Sequence, residues 1–113
     1  MLPEKDPPRR AQTDGMYMTI REYKVAPQQA AEVIRRVDTD WIEELRKVKG
    51  FVSYHVMRPQ DDRLVAIAAF LDGESAKRGA EASAEWVGQR LLTDLQVEFV
   101  GMREGPVVVH EGS

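Results

Sequence analysis

The chain contains no cysteine, which excludes a disulfide framework, a thiolate nucleophile and a cysteine-ligated metal, and leaves a reducing compartment open to it. Histidine is scarce as well: His55 and His110 stand far apart with no acidic constellation beside either, so no metal site is expected. No charge of one sign prevails, because 16 basic residues face 19 acidic ones for a net charge of -3, with both signs spread along the sequence. A nucleic acid or an anionic membrane surface would find no electrostatic footprint. No apolar run approaches the roughly 20 residues of a bilayer span, and the first residues lack the apolar segment of a secretion signal. A phosphate-cradling glycine loop, a dinucleotide fingerprint and a nucleophile elbow are missing too. The expectation is a soluble, cytoplasmic protein that binds neither nucleic acid nor membrane and carries no cofactor.

What is present is pattern. At 113 residues the chain suits one domain, with a surface still large relative to its volume. Residues 1–15 hold Pro3, Pro7 and Pro8 among charges, with Leu2 as the one large aliphatic beyond Met1, and read as a flexible tail. Residues 16–113 read as the folded domain, and Met16 is a candidate alternative start. Residues 16–25 alternate like a strand, with Tyr17, Thr19, Arg21 and Tyr23 on one face and Met18, Ile20 and Glu22 on the other. Pro27 opens a helix whose apolar positions Ala30, Val33, Ile34, Val37, Trp41, Leu45 and Val48 follow the helical period, and Gly50 closes it. Residues 51–58 and 63–71 form a hairpin across the polar turn Pro59-Gln60-Asp61-Asp62. Residues 74–92 make a second helix with the stripe Ala76, Ala80, Ser83, Val87 and Leu91. Residues 96–103 are a fourth strand, and 107–109 a short edge piece.

The order β-α-β-β-α-β makes two interleaved split βαβ units, a ferredoxin-like α+β fold. Right-handed crossovers place both helices on one face of a four-stranded antiparallel sheet, with the first and third strands central. The third strand, from Leu64 to Leu71, is apolar throughout, as a strand covered on both faces must be. On the face without helices stand Met18, Ile20, Val52, Val56, Val65, Ile67 and Leu71. At about 1.5–3 kcal/mol for each side chain fully buried, they amount to roughly 10–20 kcal/mol, more than a small domain's whole stability. A homodimer packing sheet against sheet is therefore expected.

A four-residue turn pairs Arg58 with Arg63, and hence His55 with Ala66, Ser53 with Ala68 and Phe51 with Phe70. One face then carries Phe51, Ser53, His55 and Met57 beside Leu64, Ala66, Ala68 and Phe70. The other carries Val52, Tyr54 and Val56 beside Val65, Ile67, Ala69 and Leu71. The first, beneath a helix stripe of Ala76, Ala80 and Ser83, leaves room for a small molecule. The same alanines equally allow a close, filled approach.

The order of elements, the Gly50-Phe51 step into the second strand, and Phe70 followed by a polar turn and a helix are similar to the antibiotic biosynthesis monooxygenase-like proteins of the dimeric α+β barrel superfamily, over residues 16–110. The resemblance implies a dimeric barrel with a ligand cleft between sheet and helices. It also implies relatives of several kinds: cofactor-independent oxygenases of aromatic polyketides, haem-degrading enzymes, isomerases, and small proteins without assigned activity. The haem-degrading branch has an asparagine where this chain has Arg21, a tryptophan where it has Phe70 and a histidine where it has Gly79, so haem degradation is not expected.

Within such a cleft His55 is the candidate acid-base group, since an imidazole exchanges a proton near neutral pH, and Arg21 the group to hold a carboxylate, phenolate or enolate oxygen. Thr19, Ser53, Phe70, Ser83 and Trp86 are expected to line it. A lone strand histidine is more often a hydrogen-bonded structural residue. Trp41 and Trp86, one per helix, suit stacking on a planar ligand, although an aromatic beside an apolar stripe is more often core. The reading that follows is a homodimer that binds a planar aromatic molecule and oxidises or isomerises it without a cofactor. The alternative is a non-catalytic dimeric barrel, a ligand-binding or stress-associated module.

Overall fold

The computed structural model describes residues 15–112, so the expected tail lies outside the described residues except for Gly15. Strand β1 (Tyr17–Val25) leads through a 3-10 turn (Pro27–Gln29) into a helical rod of three pieces: α1 (Ala30–Arg36), a π segment (Val37–Trp41) and α2 (Ile42–Arg46). Strands β2 (Phe51–Gln60) and β3 (Arg63–Phe70) form the hairpin, α3 (Gly73–Arg90) crosses back, and β4 (Val97–Pro106) completes the sheet. The strands are antiparallel in the order β2-β3-β1-β4, the ferredoxin-like α+β arrangement with β1 and β3 central. Val33, Trp41 and Leu45 of the rod and Ala76 and Trp86 of α3 share one core with Leu64, Ala68 and Phe70. Both helical elements therefore cover the same sheet face.

The π segment follows from spacing. Val33, Val37, Trp41 and Leu45 recur every fourth residue, and at about 100° per residue an ordinary α-helix lets such a stripe drift by about 40° at each step. The wider π turn cancels the drift and returns Trp41 and Leu45 to the sheet, where both are buried. Inside it the Thr39 hydroxyl donates to the Arg35 carbonyl at 2.8 Å, a side-chain bond of the kind that bends helices. Helix α3 starts at a polar cap: the Asp72 carboxylate accepts the Ser75 N–H at 2.7 Å, which also holds the Asp72 carboxyl below the ordinary carboxylate range. Gly50, at φ +92°, carries the chain from the rod into β2, and a Cβ there would run into the Ser75 side chain.

Two expectations from the sequence fail. Strand β2 runs on through Pro59 to Gln60, and the turn is only Asp61 and Asp62; the proline is tolerated because β2 is an edge strand. Phe51 does face Phe70, but the register shifts between Phe51 and Ser53 and again between Met57 and Gln60. Ser53 thus pairs with Ala69, Tyr54 with Ala68, His55 with Ile67 and Val56 with Ala66. A slip of one residue exchanges the faces of a strand, so Tyr54 and Val56 turn toward the helices while Ser53, His55 and Met57 turn away. The second failure is at the end of the chain. Gly105 and Pro106 belong to β4, and residues 107–109 form no strand; the Val107 N–H adds one bond to the Met16 carbonyl at 2.9 Å.

The face without helices carries Met18, Ile20, Val65, Ile67 and Ala69, with Met57 and His55 beside them. Its centre is shielded by its own neighbours, Val65 being 9% exposed, while Met57 at the edge is 50% exposed.

Candidate functional site

The space between sheet and helices falls into two parts that share Trp41, Tyr54 and Ser83. One is a cavity of about 20 Å³ bounded by Thr19, Arg21, Phe70 and Gly79. The other, of about 40 Å³, lies among Val33, Trp86, Val87 and Leu91. About 10–15 Å³ of such space admits one water, so each holds one to a few waters. Outside the second cavity, between the rod and β2, runs an open groove of about 250 Å³. Groove and cavity have Val37, Tyr54, Val56 and Leu64 in common, and Ile34, Asp38 and Ile42 complete the groove.

The first cavity is small because Phe70 fills its end. The ring is 2% exposed, stands edge-on to Phe51 with centroids 6.2 Å apart, and lies so close under α3 that a Cβ on Gly79 would sit 2.5 Å from its Cζ. Arg21 borders the same space but is engaged along the sheet. Its Nε donates to the Tyr23 hydroxyl at 3.0 Å, one terminal nitrogen to Met102 Sδ at 3.5 Å, and its guanidinium carbon stands 5.0 Å from the Phe99 ring centroid. A haem does not fit these residues: Phe70 occupies the space, and no histidine lines either cavity.

At the other end the Trp41 and Trp86 rings meet at 5.7 Å with a tilt of 41°. Trp86 is 7% exposed and its Nε1 is buried without a protein partner, which leaves it able to donate to an acceptor brought beside it. Burial, and then the neighbouring Tyr23 phenol, push the Tyr54 phenol above the ordinary tyrosine range. Ion pairs brace this end from outside. Arg36 reaches Glu32 at 2.7 Å, Asp94 at 2.8 Å and the Arg90 carbonyl at 2.7 Å, tying the rod to the segment that follows α3. Hydrogen bonds from Arg35 and Arg36 hold the Glu32 carboxyl down at about 2, and Arg36 lowers Asp94 in the same way.

Of the residues singled out from the sequence, Thr19, Arg21, Phe70 and Ser83 meet at the smaller cavity, and Ser83 and Trp86 at the larger. Ser53 and His55 do not join them. Both lie on the opposite sheet face, His55 exposed beside Ile67, so His55 and Arg21 cannot work on one ligand from the same side. The residues passed over are Tyr54 and Val56, assigned to the wrong face; Trp41, weighed with Trp86 as a stacking ring more often found in the core, lines both cavities. Among the described residues no group of His, Asp and Glu is gathered for a metal, and no helix is long and apolar enough to cross a membrane.

Solved structures share this fold at low identity. The heme-degrader MhuD from Mycobacterium tuberculosis superposes with a TM-score of 0.64 at 19% identity, covering 85% of this chain and 99% of that one. SnoaB, a cofactor-independent oxygenase from Streptomyces nogalater, gives 0.57 at 18% identity over 87% of this chain and 96% of that one. A dimeric ferredoxin-like protein from an uncultured marine organism gives 0.69 at 11% identity over 87% and 99%. No curated protein matches the sequence. The sequence profile of the antibiotic biosynthesis monooxygenase family matches residues 16–86, from the start of β1 into the last turns of α3, and this chain belongs to that family.

Proposed function

We propose that the protein is a homodimer that binds a planar, apolar small molecule between its sheet and helices, at the Trp41–Trp86 end. The observation that carries this reading is the apolar groove beside β2, which continues through Val37, Tyr54, Val56 and Leu64 into the cavity under the two indoles. Pairing of two copies through the face without helices is supported by its apolar centre of Ile20, Val65 and Ile67. Light scattering of the wild type is expected to give a dimer and of Ile67→Lys a monomer; a wild-type monomer at low micromolar concentration overturns the pairing. Removal of residues 1–15 is expected to leave the dimer intact, as the reading of residues 16–113 as one domain requires. A cytoplasmic location belongs to the same proposal and rests on the cysteine-free composition; cell fractionation tests it. Ligand binding is tested by NMR titration with fused-ring aromatics, and absence of shifts at the groove residues for all of them removes the reading.

Oxygenation is the turnover that family membership favours, and the cofactor-independent oxygenase SnoaB, which shares the fold, supports a reaction without cofactor. Among the residues that line the cavity, Trp86, Tyr54 and Ser83, with Tyr23 and Trp41, carry hydrogen-bond donors suited to an oxyanion developing on the ligand. Oxygen uptake with a hydroxynaphthalene, in the absence of flavin and metal, is the expected result. Binding without uptake selects the non-catalytic module instead.

A further inference from the structure

We propose that the ligand of this site is uncharged and enters with a hydrogen-bond acceptor, a ketone or quinone oxygen, directed at the indole N–H of Trp86; this rests on the reading of the Trp41–Trp86 cavity as the ligand site. The indole N–H can only donate; here it is buried with no protein partner, on a ring that lines the cavity together with Val33, Val87 and Leu91. Tyr54, on the boundary between groove and cavity, is a second donor through its phenol hydroxyl. The walls carry no lysine, arginine or histidine, and the carboxyl at the groove is Asp38. A carboxylate ligand would leave water without a countercharge and approach a like charge. An amine would suit Asp38 but would bring donors to a place that already holds one. A neutral ring system with a leading carbonyl satisfies the buried donor and avoids both penalties. Size agrees: the cavity of about 40 Å³ takes the oxygen and the groove of about 250 Å³ takes the rings, together near the lower end of the roughly 300–1,000 Å³ usual for small-molecule sites.

The test uses three probes of one shape: 2-acetylnaphthalene, 2-ethylnaphthalene and 2-naphthoate, titrated at pH 7 into the full-length protein while the indole N–H signals are followed by NMR. The acetyl compound is expected to bind about tenfold more tightly than either other probe, and it alone to move the Trp86 indole proton downfield. In Trp86→Phe, which keeps an apolar ring, the preference of acetyl over ethyl is expected to vanish while the affinity for 2-ethylnaphthalene holds. Asp38→Asn, at an exposed position, provides an independent arm should Trp86→Phe fail to fold: naphthoate should gain on the acetyl compound. A naphthoate bound as tightly as the ketone, a preference that survives Trp86→Phe, or an unchanged ratio in Asp38→Asn overturns the inference. If 2-ethylnaphthalene binds with no preference for the acceptor, the site reading stands and the inference falls. If none of the three binds, both fall.

Discussion

At the Phe70 end of the sheet–helix layer, Gly79 lets α3 settle onto the sheet and one phenyl ring fills what remains. At the Trp41–Trp86 end, two indoles, a widened helical turn and an adjoining groove leave space unfilled. The difference teaches that small residues do not by themselves make a cavity. Alanine and glycine on facing surfaces let the layers close to native packing density, whereas rigid rings that cannot interdigitate hold the layers apart. The alanine-rich face of β3 is therefore the tight part of the layer, and the ligand site lies where the side chains are largest.

The largest effect expected is that of Phe70→Ala, a loss of about 3–5 kcal/mol in denaturant unfolding, because the filled end has no slack to absorb the missing ring. Gly79→Ala comes next. Its Cβ meets Phe70 at 2.5 Å, and overpacking of this kind costs about 1–3 kcal/mol, against a helix-propensity gain of about 1 kcal/mol. The two positions should be coupled: in a Phe70→Leu background the clash is relieved, and Gly79→Ala becomes neutral or stabilising. A Gly79→Ala that stabilises the wild type breaks the comparison, since the tight end would then not be tight. At the loose end the sign reverses. Val37→Ile adds one methylene beside the cavity of about 40 Å³ and is expected to change stability by between zero and a gain of about 0.8 kcal/mol.

Much of the fold was legible in the sequence, up to β2, but this contrast was not: the alanine stripe suggested room for a ligand at the end that proves tight. The unbroken apolar run from Leu64 marks β3 as a strand covered on both faces, and the β-α-β-β-α-β order with right-handed crossovers places β1 beside it at the centre. The face of β2 was not recoverable from its turn. A four-residue turn and a two-residue turn differ by an even number, so both put His55 under the helices; only an unpaired residue within the strand reverses it. Pro59 is the one signal of that break, since a proline cannot donate to the ladder. The recurrence of Val33, Val37, Trp41 and Leu45 at every fourth residue carries the mark of the π segment, but among Ala30, Ile34 and Val48 it passes for the ordinary helical period. The Phe70–Gly79 contact was not readable, as it depends on how α3 is rotated over the sheet.

The smallest effect separates the two ends by pH. The filled end is held by packing, while the loose end is braced by Arg36 against Glu32 and Asp94. The Glu32 carboxyl stands at about 2 in the folded protein against an ordinary 4.5, so between those values the unfolded chain binds a proton that the folded chain does not. Stability therefore rises with pH across that window and is lost as the pH falls from 4.5 toward 2; Asp94, lowered by the same arginine, acts in the same direction. These groups are exposed, so the contribution is small and salt weakens it. Glu32→Gln is expected to flatten the fall of Tm across that range, with the tryptophan fluorescence reporting the change, while Gly79→Ala keeps the wild-type slope at a lower Tm. A Glu32→Gln slope equal to the wild type's would mean that the rod is held over the Trp41–Trp86 cavity by packing alone, and that the two ends differ in their space but not in what keeps them closed.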